Sequence, residues 1–177
     1  MNRDVRRVRL PLVLGTLALL VVQILSHAES PQLKQLRAQL EGSWELIEWH
    51  VDKQVLRPPQ VGGRWSNHDG VITFIAFRNN GQAYEALSGY GAYELDENNW
   101  SYAYEGMQVV SGTSPKDASV TVINDMPSRS FKVTRRGEEV LLDRPNDHRE
   151  YEDGEFRLMR DGKLLRKWRR IRPSSQF

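Results

Sequence analysis

The chain has 177 residues, no cysteine and a formal net charge of +2, which comes from 25 basic and 23 acidic residues. The lack of cysteine excludes disulfide bonds and a lipid attached through cysteine, so an apolar core must hold the fold together. The small net charge gives no sign of a nucleic-acid-binding surface. Roughly 150 residues remain after the predicted leader described next, and that number suffices for a single domain.

The first 28 residues have the pattern of an export signal. The segment opens with four arginines, Arg3, Arg6, Arg7 and Arg9. Residues 10–25 are then mainly apolar, and the small residues Ser26 and Ala28 fit cleavage after Ala28. A spanning helix needs about 20 apolar residues, and this run is shorter and contains a proline and a glycine. We therefore predict a signal peptide over residues 1–28 and a periplasmic or secreted protein. The alternative is a leader retained as an anchor, which would be its one contact with a membrane.

Removal of this leader changes the charge of the protein. It takes away four arginines and one aspartate, which leaves 21 basic and 22 acidic residues and a formal net charge of −1. The slight excess of positive charge in the whole chain thus comes from the leader. Together with the predicted export, this argues against a nucleic-acid partner.

Residues 29–172 are predicted to form one domain that opens with a short helix, and residues 173–177 are predicted to be a flexible tail. Ser30 suits the N-cap of a helix and Pro31 suits its first position, where a missing N–H has no cost. Leu33, Leu36 and Leu40 follow at helical spacing and share one face. Such a short helix is not stable alone in water, so we expect it to lie against a larger structure.

After the helix the apolar residues recur with a period of two, as in β-strands. Trp44, Leu46 and Trp49 fit this alternation if one residue is skipped at Leu46–Ile47, which predicts a β-bulge there. Residues 71–77 are apolar at nearly every position, which predicts a strand whose outer face is also covered. The glycines of Gly62-Gly63 and Gly89-x-Gly91 are interpreted as turn or bend residues.

Hairpin turns divide the remaining strands. Four segments carry residues that favour tight turns, namely Asn79-Asn80-Gly81, Asp96-Glu97-Asn98-Asn99, Arg136-Gly137 and Asp161-Gly162. The predicted strands between them cover residues 82–87, 90–95, 100–110, 120–123, 131–134, 140–142, 155–160 and 164–171. Many short strands, with no long helix after Leu40, indicate an all-β protein. We predict an antiparallel, up-and-down β-barrel, because closure leaves no exposed sheet edge.

The opening of the predicted sheet, Leu40-Glu41-Gly42-Ser43-Trp44, resembles that of bacterial lipocalin-like domains of the calycin superfamily. The loop at Pro58-Pro59, the Asn79-Asn80-Gly81-Gln82 turn and a last strand with Trp168-Arg169-Arg170 add to the resemblance. It implies a short N-terminal helix followed by a barrel of about eight to ten strands.

The resemblance also implies a structural plug. In that group the tryptophan of Gly-x-Trp closes one end of the barrel, and a basic residue of the last strand packs over it. The matching residues are Trp44 with Arg169 or Arg170. Since Arg170 has the same strand parity as Trp168, we favour Arg170.

The sequence lacks the patterns that would indicate an enzyme. There is no Gly-x-Ser-x-Gly elbow, and His50, His68 and His148 lie too far apart for a motif of metal ligands. Glu45 and Glu48 are predicted on the outer face of the first strand, where a surface role is expected for them. We therefore predict a protein without catalytic residues, metal or cofactor.

Aromatic residues supply the clearest functional signal. The candidates for lining an internal cavity are Trp44, Tyr84, Tyr93, Trp100, Tyr102 and Tyr104. Aromatic walls with a few hydroxyl groups suit a small hydrophobic or aromatic molecule. The alternative is that these side chains fill the barrel and leave no space for a ligand.

The predicted last strand is strongly basic. Its candidates for surface interactions are Arg166, Lys167 and Arg169, with further charges at Lys163, Arg170 and Arg172. An outward-facing cationic strip is suited to an anionic component of the cell envelope. The alternative is that the cations only protect the strand from pairing with other chains.

Overall fold

The computed structural model describes residues 29–124 and 126–172. These residues form one helix and twelve strands: α1 (Pro31–Leu40), β1 (Gly42–Val51), β2 (Gln54–Leu56), β3 (Val61–His68), β4 (Val71–Asn79), β5 (Tyr84–Leu95), β6 (Asn99–Gly112), β7 (Ser119–Asn124), β8 (Arg129–Arg136), β9 (Glu139–Arg144), β10 (Asp147–Glu152), β11 (Glu155–Arg160) and β12 (Lys163–Arg170). The predicted leader at 1–28 and the predicted tail at 173–177 lie outside the described residues.

Ten of the strands form a closed antiparallel barrel. The order runs from β1 through β3, β4, β5, β6, β8, β9, β10 and β11 to β12, and β12 then pairs with β1. Strand β2 pairs with the end of β1, and β7 pairs with residues 106–111 of β6. The predicted all-β, up-and-down barrel with a short N-terminal helix is therefore confirmed.

The predicted irregularity in β1 is present. The pairing of β1 with β12 shifts register between Leu46 and Glu48, so Ile47 occupies a bulge. Trp44, Leu46 and Trp49 are all buried as a result. The extra residue bends the strand while its apolar side chains stay on the inner face.

Two glycine pairs lie in strands rather than in turns. Gly62 and Gly63 belong to β3, and Gly89 and Gly91 belong to β5. A Cβ on Gly63 would come within 2.5 Å of the carbonyl oxygen of Ile75 in the neighbouring strand. The prediction of turns at these positions was wrong, whereas a bend at Gly91 agrees with the register shift between Tyr90 and Gly91. The missing side chain of Gly63 permits close approach of the neighbouring strand.

The outer face of β4 is exposed, whereas the sequence predicted that it would be covered. Val71, Ile75 and Phe77 are 54%, 56% and 37% exposed, while their neighbours Ile72 and Ala76 are buried. Strand propensity explains the apolar run, since β-branched and aromatic residues favour strands on either face.

Helix α1 lies over one end of the barrel. Its Leu36 and Leu40 are buried in the core. The side-chain amide of Asn67 in β3 donates to the carbonyl of Leu40 at 2.9 Å, and Trp65 Nε1 donates to Asn67 Oδ1 at 2.7 Å. These contacts fix α1 against this end of the barrel, called the closed end below.

Candidate ligand-binding cavity

The closed end is built around Trp44 and Arg170. Trp44 is buried, and Cζ of Arg170 lies 4.5 Å from the centre of its ring. Nη2 of Arg170 donates to the carbonyls of Ala38 and Gln39 at 3.1 and 2.6 Å, both near the C-terminus of α1. A cation is stabilised at that end of a helix. Arg170 therefore joins the plug, the helix and the last strand.

Tyr93 also belongs to the closed end. Its hydroxyl donates to Glu41 Oε1 at 2.5 Å, and Arg37 Nη1 donates to the same oxygen at 2.6 Å. Burial and then the bond to Glu41 raise the pKa of Tyr93 above its usual range. Tyr93 was predicted to line a cavity, but it is held beside α1.

A cavity of about 270 Å³ lies inside the barrel, toward the end opposite α1. Strands from all around the barrel contribute to its wall. The lining residues are Trp65, Phe74, Ala76, Glu85, Leu87, Tyr102, Tyr104, Met107, Arg129, Asp147, Arg149, Leu158, Arg160, Leu165, Arg166 and Trp168. Arg160 is exposed, so it marks the mouth of the cavity.

Two of the six predicted cavity residues line this space, namely Tyr102 and Tyr104. Trp44 and Trp100 are buried but are not among the residues that line this cavity; Trp44 instead borders a separate depression beside α1, with Tyr151 and Arg170. Tyr84 instead borders a shallow outer depression beside Phe77 and Pro115, because its position in β5 points it away from the interior. The prediction of cavity lining was therefore wrong for Tyr84.

Aromatic rings form much of the cavity wall. The ring centres of Phe74 and Tyr104 are 5.1 Å apart, and those of Trp65 and Trp168 are 6.2 Å apart. Burial raises the pKa of Tyr104 above its usual range. The wall therefore offers large apolar surfaces beside its charged groups.

The charged groups on the wall are mostly positive. Four arginines and two carboxylates line the cavity. Of the carboxylates, Glu85 already forms an ion pair with Arg78, with Nη2 and Oε2 2.9 Å apart. Asp147 has a buried oxygen without a hydrogen-bond partner among the described residues. The cavity is therefore electropositive.

Arg149 is the most unusual of these groups. It is 2% exposed, and its Nη2 donates to the hydroxyl of Tyr102 at 2.7 Å. Its Nε and Nη1 have no hydrogen-bond partner in the part of the chain that the structure describes. Its Cζ lies 4.8–5.1 Å from the ring centres of Trp65, Trp100, Tyr102 and Phe131. The cation is thus surrounded by rings and is left with unused donors.

Arg166 is inside the barrel, although the sequence placed it on the surface. Its Cζ lies 4.0 Å from the centre of the Trp49 ring, and burial lowers its pKa to about 10. The predicted parity of β12 could have revealed this position, since Arg166 and the inward-facing Trp168 are two residues apart. The basic character of the segment concealed it.

Lys167 and Arg169 face outward and are paired. Lys167 Nζ lies 2.7 Å from Glu155 Oε2, and Arg169 Nη2 lies 2.5 Å from Glu45 Oε1. Neighbouring carboxylates therefore partly neutralise the basic strip. An anionic component of the cell envelope as partner stays a prediction.

Lining residues that no sequence pattern had indicated include Arg149, Asp147, Glu85 and Trp65. Parity offers a signal for the first two, because Asp147, Arg149 and Tyr151 alternate on one face of β10 and Tyr151 is buried. No strand was predicted over β10, so its charged residues were not assigned to either face. Its contact with β3 and β6 depends on barrel closure.

Among the described residues, no set of three or more His, Cys, Asp or Glu side chains is placed to hold a metal ion. Within 29–124 and 126–172 no helix has both the length and the apolar character needed to cross a bilayer. Comparison with known proteins finds no matching family model, no matching curated protein and no matching solved structure.

Proposed function

We propose that this protein is an exported, lipocalin-like barrel that binds a small apolar or aromatic molecule. The observation that supports the proposal most strongly is the aromatic-walled cavity of about 270 Å³ inside the barrel. Ligand sites are concave and mostly apolar, with a few polar groups that fix orientation. This interior is concave, and ten of its sixteen lining residues are aromatic or aliphatic, beside six charged ones.

The volume limits the size of the ligand. Typical sites for drug-sized molecules have volumes of about 300–1,000 Å³, and a cavity of roughly 150 Å³ can hold benzene. The cavity of about 270 Å³ lies between these cases. We therefore propose a ligand of one or two rings, or an aliphatic molecule of similar size.

Several features support membership of the calycin superfamily. The barrel is closed and up-and-down, a short helix precedes it, and Trp44 and Arg170 stack at its closed end. The same arrangement was implied by the resemblance at Gly42-Ser43-Trp44. The membership is part of the proposal.

Filling the cavity tests the proposed function. Ala76 lines the cavity, and Ala86 lies on the outer face of the neighbouring strand, opposite Phe77. We expect Ala76→Leu to weaken binding at least tenfold, because the added methyl groups occupy the site, and Ala86→Leu to leave it unchanged. Tryptophan fluorescence is a suitable measurement, since Trp65 and Trp168 border the space.

The ligands for this titration are naphthalene derivatives, short fatty acids and hydrophobic dyes. Saturable quenching that Ala76→Leu abolishes would support an internal site. If no compound binds the parent protein, or if Ala76→Leu binds as well as Ala86→Leu, the proposed function is wrong.

The proposed export has its own test. Mass spectrometry of the protein from the producing cell would give an N-terminus at Glu29 if cleavage follows Ala28. An intact N-terminus in the membrane fraction would indicate an anchor instead. A full-length protein in the cytoplasm would contradict export.

A further inference from the structure

We infer that the ligand of the barrel is a small aromatic organic acid, with its anionic group bound to Arg149. The inference rests on the proposed function and specifies the chemical class of the ligand. It comes from the hydrogen bonding and charge of the cavity wall.

The first argument is the unmet hydrogen-bonding capacity of Arg149. Nε and Nη1 lack partners among the described residues, although the side chain is 2% exposed. A buried donor without a partner costs free energy, and more so when it carries a charge. An arginine side chain stays protonated under all ordinary conditions, so it cannot avoid this cost by losing its proton.

The second argument is the lack of an ion pair. Arg149 has no carboxylate within salt-bridge distance in the described ranges, and Asp147 on the same strand acts on it without direct contact. Its neighbours are otherwise aromatic rings and the hydroxyl groups of Tyr102 and Tyr151. Stacking on rings stabilises a cation, but by less than the desolvation of an ion costs. A bound anion would compensate for the part of the desolvation cost that stacking does not offset.

The third argument is the positive electrostatic field inside the cavity. Arg129, Arg160 and Arg166 line the same cavity, and Arg78 pairs with Glu85. Asp147 is the one described carboxylate on the wall without an ion pair, and it would repel an anion. The surplus of arginines outweighs it, so the interior attracts negative charge.

The shape of the wall determines the rest of the ligand. The rings of Phe74, Tyr104, Trp65 and Trp168 leave a space suited to a flat apolar body. Oxygen atoms of an organic acid are the acceptors that match a guanidinium, with hydrogen bonds stronger than those to neutral groups. A one- or two-ring carboxylate satisfies both parts of the site.

Three related compounds test this inference on the purified full chain by isothermal titration calorimetry at pH 7. They are naphthalene-2-carboxylate, its neutral amide and naphthalene-2-methanol. Because hydrogen bonds to charged groups are stronger, we expect the carboxylate to bind roughly 10- to 100-fold more tightly than the amide. In Arg149→Met this preference should vanish, whereas the matched surface variant Arg169→Met should retain it.

Asp147→Asn provides a second test that does not depend on the folding of Arg149→Met. The change removes the negative charge of Asp147, which would repel the ligand. We therefore expect naphthalene-2-carboxylate to bind roughly two- to tenfold more tightly and the affinity for the amide to stay unchanged. Weaker or equal carboxylate binding in this variant would contradict an anion at Arg149.

The outcomes separate the inference from the proposed function. Equal binding of carboxylate and amide, or a preference that survives in Arg149→Met, overturns the inference and leaves an internal site for neutral ligands. Binding of naphthalene-2-methanol alone would likewise overturn the inference and leave an internal site for neutral ligands. If none of the three compounds binds, the inference is wrong, and the wider panel described above decides the proposed function.

Discussion

The closed end and the cavity of this barrel each contain an arginine stacked on tryptophan, and the two differ in their hydrogen bonds. Arg170 lies over Trp44 and donates to two helix carbonyls. Arg149 lies near Trp65 and Trp100 but uses one nitrogen, for Tyr102, and leaves two without partners. The same residue type thus completes the fold in one place and leaves binding capacity in the other.

This difference suggests how structural and functional groups can be distinguished in a protein without a known ligand. Stacking on aromatic rings is common to both arginines, so it does not discriminate between them. Satisfied donors mark a group whose partners belong to the fold. The unsatisfied, charged donors of Arg149 border a cavity, so their proposed partner is a ligand.

Removal of the plug should have the largest effect. Trp44→Ala deletes a buried aromatic side chain, so we expect the free energy of unfolding to fall by about 3–5 kcal/mol. Tyr90→Ala is the control, because Tyr90 is 57% exposed and should change little. Urea denaturation of both variants measures the difference. A Trp44→Ala protein as stable as the parent would show that the closed end does not depend on this plug.

Alkaline pH should lower the free energy of unfolding through Tyr151, whose pKa is influenced by both Arg149 and Arg170. Burial raises the pKa of Tyr151 to about 12, although Arg149 and Arg170 oppose the shift. The folded protein thus keeps this proton at a pH where the unfolded chain, with a pKa near 10, loses it. The resulting stabilisation is complete below pH 10 and should decrease between pH 10 and 12, by on the order of 2 kcal/mol.

Thermal melts of the parent and Tyr151→Phe between pH 8 and 12 measure this effect. The parent should lose stability more steeply above pH 10, because Phe has no proton to release. Burial also raises the pKa of Tyr93 and Tyr104, so the variant should retain part of the slope. Identical slopes would contradict the shift in Tyr151.

Arg170→Met should have a smaller effect. The variant loses the hydrogen bonds to Ala38 and Gln39 and the stacking on Trp44, and we expect destabilisation by about 1–3 kcal/mol. Ligand binding should be unchanged, since Arg170 does not line the cavity. Urea denaturation together with calorimetry of naphthalene-2-carboxylate checks both statements. Loss of binding in a folded Arg170→Met protein would contradict a purely structural role for Arg170.

Arg149→Met should have the smallest effect on stability. Replacement of buried charges by apolar groups of similar size is often neutral or stabilising, so we expect a change of about zero, or a gain, in the free energy of unfolding without ligand. The same urea experiment measures it. A loss as large as that of Arg170→Met would mean that Arg149 is a structural group.

Local patterns in the sequence, with the resemblance at Gly42-Ser43-Trp44, predicted an up-and-down barrel but not its strands β2, β3 and β10. The alternation around Trp44 and Trp49 gave the bulge at Ile47, and turn residues such as those of Asn79-Asn80-Gly81 gave the hairpins. These features depend on contacts between residues close in sequence, so the spacing of apolar residues or a short turn motif is enough to predict them. The burial of Trp44 could be expected for the same reason.

The cavity could be predicted only in part. Tyr102 and Tyr104 were found because they alternate along one strand. Tyr84 was assigned to the wrong face, and Arg166 was assigned to solvent because of its charge. Hydrophobic patterns detect the interior through apolar residues, so they fail for a charged residue that faces inward.

The sequence by itself thus determined the strand alternation, the turns and the tryptophan at the closed end. The tertiary structure alone decided the environment of Arg149, because barrel closure brings β10 against rings from β3, β6 and β8 that are distant in the chain. The free energy of a buried charge depends on every group around it, and no local pattern contains that information.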